Sequence, residues 1–137
     1  MELNNKSPLS LTLPDWHDRK ILIVEDVHTN LLFLKAALSK TGANLLWASD
    51  GYEAIRKVQQ EPDIELILMD LRLPNLDGFK ATETIKSIRP DIPIIAQTTF
   101  TDEFDTRRIE DAGCDAYLAK PIRLDELIQT LTRFLDK

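Results

Sequence analysis

Apolar positions along this chain follow two rhythms that take turns. Ile21-Leu22-Ile23-Val24 and Leu66-Ile67-Leu68-Met69 are short, continuous apolar runs, and each closes on carboxylates, Glu25-Asp26 and Asp70. A strand with one face in water alternates apolar with polar, so unbroken runs of this length predict strands buried on both faces. From Val27 the period changes. Val27, Leu31, Leu34 and Leu38 fall in one stripe at about 100° per residue, predicting a helix that runs to Gly42. Asn44 to Ala48 is a short strand, after which Asp50 and Glu53 supply an N-cap and an acid three residues on. The helix behind them turns Ile55 and Val58 inward and stops before Pro62.

The strand from Glu65 to Asp70 comes next, then a Pro/Asn/Asp turn and a helix from Gly78 to Ile88 closed by Arg89-Pro90. Ile92 to Gln97 reads as a fourth strand, with Pro93 tolerated near its beginning. Thr101 is placed to cap a strongly charged helix whose apolar contacts are Phe104, Ile109 and Ala112, which predicts weak attachment to the core. Gly113 ends it. Ala116 to Ala119 forms a fifth strand, and the last helix, Leu124 to Leu135, carries its stripe at Leu124, Ile128, Leu131 and Leu135. Arg123 stands where an N-cap residue would serve better, a small cost in stability. Strict alternation of strand and helix predicts an α/β fold: a five-stranded parallel sheet of order 2-1-3-4-5, doubly wound with five helices. Residues 1–18 carry Asn, Ser and Pro without periodicity and read as a tail or linker, with Trp16 the side chain able to dock it. The domain is expected over 19–137.

Composition narrows the class. With 137 residues, 43% hydrophobic and 29% charged, the chain is sized for one globular domain. A net charge of -6 argues against direct nucleic-acid binding, which needs clustered cations. Cys114 is the only cysteine, so no internal disulfide can form. Neither a membrane-spanning run nor a signal-peptide pattern is present, and the expected location is the cytoplasm.

The chemistry gathers at strand ends. Glu25 and Asp26 follow the first strand, Asp70 ends the third, Thr98 follows the fourth and Lys120 the fifth. Parallel strands bring these ends to one sheet edge, where α/β proteins bind ligands. Taken alone, an acid pair is usually a solvated turn. Three carboxylates at one edge are different: at an effective dielectric near 20, two charges about 4 Å apart repel by about 4 kcal/mol, so a cation is expected. An all-oxygen donor set suits Mg²⁺ or Mn²⁺ rather than zinc. With a hydroxyl at Thr98 and an ammonium at Lys120, the site suits a phosphoryl group, and Asp70 on the central strand is the best-placed nucleophile.

Glu25-Asp26, Asp70 with Pro74 and Asp77-Gly78, Thr98, Tyr117 and Lys120-Pro121 resemble, in this order, the receiver domain of two-component response regulators. The resemblance covers Lys20 to the C-terminus. Asn30 and the run from Ile88-Arg89-Pro90 to Gln97 are most similar to receivers fused to hybrid sensor histidine kinases. It implies the flavodoxin-like receiver fold and a phosphoacceptor signalling domain rather than an enzyme. It also implies Mg²⁺ held by Asp26, Asp70 and the backbone carbonyl of Arg72, with Glu25 acting through water. Asp70 is then phosphorylated from a histidine kinase or histidine phosphotransfer protein, and Thr98 and Tyr117 form the switch. In the family a cis peptide precedes the proline after the lysine.

Thr99 departs from the family's pattern, which has a small residue there; together with Phe100 and Arg72 it is expected to crowd the phosphoryl's solvent side. Other readings fit less well. Phosphatases with an aspartyl nucleophile commonly show Asp-x-Asp, yet Leu71-Arg72 follows Asp70; a flavin protein needs a hydroxyl-rich phosphate loop where Glu25-Asp26 stand; a receiver that had lost phosphorylation would not keep all five polar groups. His28 reads as a solvated helix residue and Cys114 as a small buried one. Leu32 and Phe33 lie outside the core stripe of the first helix and are expected to dock the histidine-bearing donor.

Overall fold

The computed structural model describes residues 13–99 and 103–136. Five strands alternate with five helices: β1 (Lys20–Val24), α1 (His28–Ser39), β2 (Asn44–Ala48), α2 (Gly51–Gln60), β3 (Leu66–Asp70), α3 (Gly78–Ile88), β4 (Ile94–Thr98), α4 (Glu103–Ala112), β5 (Ala116–Ala119) and α5 (Leu124–Leu135). All strand pairs are parallel, in the order β2-β1-β3-β4-β5, as the alternation predicts. Side chains of a strand point alternately to its two faces. Leu22, Val24, Ile67, Met69, Ile94 and Ala96 therefore pack with α2, α3 and α4, while Ile21, Ile23, Leu66, Leu68 and Ile95 pack with α1 and α5. This two-sided burial is why the central strands are apolar throughout.

Several sequence expectations are corrected. Val27 does not join the α1 stripe: it is 45% exposed, because it is the N-cap residue, held extended with its N–H on Glu25 Oε2 at 3.1 Å. Leu34, Ala37 and Leu38 form the buried face instead. The fourth strand runs from Ile94 to Thr98 rather than from Ile92 to Gln97. Pro93 has no N–H to donate to the ladder, whereas Thr98 is recruited by the 2.8 Å bond from Lys120 N to its carbonyl. Cys114 is only partly buried, although it packs against the core; burial pushes its thiol up to about 11.

Trp16 docks the segment that precedes β1, as its place in the sequence allows. Its ring is buried in the core cluster that includes Ile21, Leu38 and Leu135, its backbone N–H donates to Thr41 O at 2.7 Å, and its indole Nε1 donates to Asp136 Oδ1 at 3.0 Å. The third strand begins at Leu66 rather than Glu65, and the first helix ends at Ser39 rather than running to Gly42, while two expectations about helix caps hold. Asp50 caps α2 by accepting from Glu53 N at 2.8 Å, and Glu53 Oε1 accepts in return from Ser49 N at 2.8 Å. Arg123 gives α5 no side-chain cap. The cap expected of Thr101, and the side chains of Phe100 and Phe104, lie outside the described residues.

Candidate functional site

The register of the sheet assembles the site. Asp70 is the last residue of β3 and pairs with Gln97 of β4, so Thr98 stands one residue further out, opposite Ala119 of β5. Lys120 follows directly, after which the Lys120–Pro121 peptide is cis, as the family resemblance implies. Glu25 continues β1 by donating its N–H to Ala48 O at 3.0 Å, and Asp26 comes next. Gly78 closes the underside: a Cβ there would collide with Asp70 O and Leu71 Cα, so only glycine lets α3 begin this close to the end of β3. The loop between them is pinned at Asn75, whose φ of 68° is one asparagine tolerates and whose Nδ2 donates to Asp50 Oδ2 at 2.7 Å.

Glu25, Asp26 and Asp70 present carboxylate oxygens that lie within 4.8 Å of one another. Glu25 and Asp70 are buried and Asp26 is exposed, which gives the cluster an open side. Lys120 reaches in from β5: its Nζ donates to Asp70 Oδ2 at 3.1 Å and to Glu25 Oε1 at 3.4 Å. Asp70 Oδ1 accepts from Arg72 N at 3.0 Å, so both its oxygens are held in place. Thr98 is 3% exposed at the same edge. Beside the acids, Asp26, Arg72, Pro74, Asp77, Phe79 and Arg108 line an open cleft, with the Arg108 guanidinium stacked 4.0 Å from the centre of the Phe79 ring.

One ammonium does not balance three carboxylates. Burial, and the hydrogen bond and negative charge of Asp70, push Glu25 up to about 7 against an ordinary 4.5, although Val27 N–H and Lys120 pull it down. The folded state therefore holds a proton on Glu25 that the unfolded chain has already released. Stability is expected to fall as pH rises from 4.5 through about 7 without divalent cation, by on the order of 3 kcal/mol at most. Chemical denaturation at several pH values checks this: Glu25→Gln should flatten the window, and millimolar Mg²⁺ should restore stability at its alkaline end. The donor set fits such an ion, since it is all oxygen, anionic, short of positive charge and open to water through Asp26.

Other anticipated residues lie around this centre. Tyr117 on β5 is 41% exposed and borders a surface depression with Glu126, Gln129 and Arg133. Leu32 and Phe33 are exposed on α1, at 49% and 44%, and Phe33 shares a cavity with Lys120. The sequence reading passed over Gln97, which lies in the wall of that cavity. A polar side chain one place before a site hydroxyl, inside an otherwise apolar strand, was the available signal.

Residues 21–132 match the family model described as the response regulator receiver domain. Sensor protein GacS of Pseudomonas syringae pv. syringae is 34% identical over 132 residues, an alignment spanning 93% of this chain and 14% of that protein. A solved receiver domain of sensor histidine kinase PA1611 from Pseudomonas aeruginosa, with a magnesium ion in its active-site cleft, superposes with a TM-score of 0.81 at 36% identity, covering 87% of this chain and 98% of that one. A receiver domain of Ssk1 from Saccharomyces cerevisiae, solved with the histidine phosphotransfer protein Ypd1, gives 0.81 at 29% identity over 90% of this chain and 91% of that chain.

Proposed function

The chain belongs to the response regulator receiver domain family, and from that premise we propose that Asp70 is its phosphoacceptor, serving a two-component phosphorelay. The observation that carries this is Asp70 itself: a buried carboxylate at a strand end, with one oxygen on Arg72 N–H and the other on Lys120. In the transfer an Asp70 oxygen forms a bond to phosphorus as the bond from phosphorus to the donor's imidazole nitrogen breaks, and the imidazole takes up a proton. Lys120 is placed to follow the charge onto the phosphoryl oxygens, and the Thr98 hydroxyl to donate to another. Asp26, Asp70 and the carbonyl of Arg72 would hold Mg²⁺, with Glu25 behind them. The ion supplies charge neutralisation at the phosphoryl oxygens. Nothing in this scheme turns over a substrate, so the domain acts as a signalling switch, in the cytoplasm, over residues 19–137 together with the Trp16 segment.

The output runs through Thr98 and Tyr117. When Thr98 is drawn toward the phosphoryl, space opens on β5 for the exposed Tyr117 ring to turn inward, and the surface between α4 and α5 changes. A small acyl phosphate with Mg²⁺ should add one phosphoryl mass, and chelator should prevent it. Hydrogen exchange on the labelled protein should differ from Thr98 to Tyr117; unchanged exchange there would remove these two residues from the switch.

A histidine kinase or histidine phosphotransfer protein is the donor, and α1 is its landing surface. Leu32 and Phe33 are large, apolar and exposed on α1, and Phe33 shares a cavity with Lys120, as a helical partner requires. Leu32→Ser and Phe33→Ser are expected to cut transfer from the protein donor about tenfold each, while labelling by acyl phosphate and thermal stability stay within error. A parallel loss of stability would show instead that these residues serve the fold. Because this chain spans 14% of GacS, any kinase activity or effector attached to a longer protein is a separate matter.

A further inference from the structure

We propose that α4 is held as a lever: Lys86 and Asp115 fix its far end, and Arg108, stacked on Phe79, is the positioning residue that holds the end facing the acid cluster. Because α4 follows β4, its first turn lies at the carboxyl edge of the sheet with Asp70, while Ala112 ends it near the opposite edge, where β5 begins. The two ends are attached by different chemistry.

At the far end, Lys86 Nζ reaches over from α3 and donates to Ile92 O and to Asp115 Oδ2, each at 2.8 Å. The same Asp115 oxygen accepts from Ile94 N at 2.8 Å, and Asp115 N donates to Ile94 O at 2.8 Å. Gly113 turns the chain out of α4 with a φ of 104°, and a Cβ there would stand 3.2 Å from Lys86 Cγ, so the lysine stem runs close against this turn. A mostly buried ammonium with a carboxylate and a carbonyl on it is costly to release. Ile109 and Ala112, the fully buried residues among those described in α4, lie in the same half.

The near end is clasped more lightly. Helical side chains lean toward the N-terminus, so the exposed Arg108 reaches back toward the site and lays its guanidinium 4.0 Å from the centre of the Phe79 ring. Phe79 is a fixed seat: it is buried, and it follows Gly78, which sits tight against the backbone of Asp70 and Leu71. A cation on a ring at an exposed site shifts an equilibrium by only about twofold to fivefold. The guanidinium also borders the open cleft beside Asp26 and Asp77, which gives it somewhere to go once it leaves the ring. An event at the acid cluster that tilts α4 therefore parts Arg108 from Phe79 first and turns the helix about Asp115. That this event is phosphorylation rests on the phosphoacceptor reading; the role of Arg108 does not.

The test is amide hydrogen exchange of the full chain, comparing Arg107 and Ile109, whose i→i−4 partners lie in the first turn of α4, with Cys114 and Asp115 at its far end. Arg108→Gln is expected to speed exchange at the first pair about twofold to fivefold and leave the second pair unchanged, and Arg108→Lys, which keeps a cation, should restore most of the protection. Lys86→Met should do the reverse and loosen Cys114 and Asp115. In the wild type, beryllofluoride with Mg²⁺ should speed exchange at Arg107 and Ile109, and it should add little to the effect of Arg108→Gln. Unchanged exchange in Arg108→Gln, an equal rise at both ends, or Arg108→Lys behaving like Arg108→Gln would each overturn the proposal. These outcomes need only the exposed-site variants and stand even if Lys86→Met folds poorly. Should beryllofluoride leave every amide unmoved, the phosphoacceptor reading fails, while the variants still decide the role of Arg108.

Discussion

Asp70→Asn is expected to abolish phosphoryl labelling, a loss of at least about a thousandfold, while leaving the protein folded and more stable above neutral pH. The first half follows from the nucleophile: an amide oxygen lacks the charge that attacks phosphorus, and removing a covalent catalyst's attacking group has effects on this scale or larger. The second half follows from charge. Asp70 is among the groups that push Glu25 up to about 7, so neutralising it should return Glu25 toward its ordinary range and relieve the repulsion felt when both are ionised. Intact-mass measurement after acyl phosphate treatment reads the first effect, and denaturant titration at alkaline pH the second. Lost labelling in an unfolded variant would say nothing about chemistry, which is why the two readouts belong together. Labelling of Asp70→Asn at the wild-type level would remove Asp70 from its assigned role.

Trp16→Ala is expected to cost about 3–5 kcal/mol, the range for truncating a fully buried aromatic ring. For a domain of this size that is a fall in thermal midpoint of roughly 10–20 °C. The ring is 1% exposed and belongs to the core cluster that β1, α1 and α5 share, and its N–H holds Asp136 just past the end of α5. Removing residues 1–18 should do equal or greater damage, since it takes the ring and the Trp16 to Thr41 bond together. A midpoint shifted by only a few degrees would restore the boundary that the tail's composition suggests.

That boundary shows where local pattern stops being informative. Strand and helix identities were legible because each depends on neighbours within a turn or two: unbroken apolar runs for β1 and β3, a period near 3.6 for α5, Asp50 as a cap. Strict alternation then places the carboxyl ends at one edge, so Glu25, Asp26, Asp70, Thr98 and Lys120 were identifiable as one site from order alone. What sequence could not decide were matters set by partners distant along the chain. That Trp16 could dock was legible, but where it docks was not, because its hydrogen-bond partners are Thr41 and Asp136, far along the chain. Val27 belongs to the helical stripe by spacing, yet a bond to Glu25 holds it outside the helix. Glu25 and Asp26 are adjacent acids that no local rule separates; packing buries one against Asp70 and leaves the other in water. The Gln97 amide is likewise unremarkable until α1 and the β5–α5 turn close over it and supply nothing to bond it. Periodicity and chain order determined the elements and the edge where they meet, because backbone geometry repeats locally. Burial, and with it charge state and unmet hydrogen bonds, was decided by tertiary packing, because solvent is excluded by whichever segments happen to lie on top.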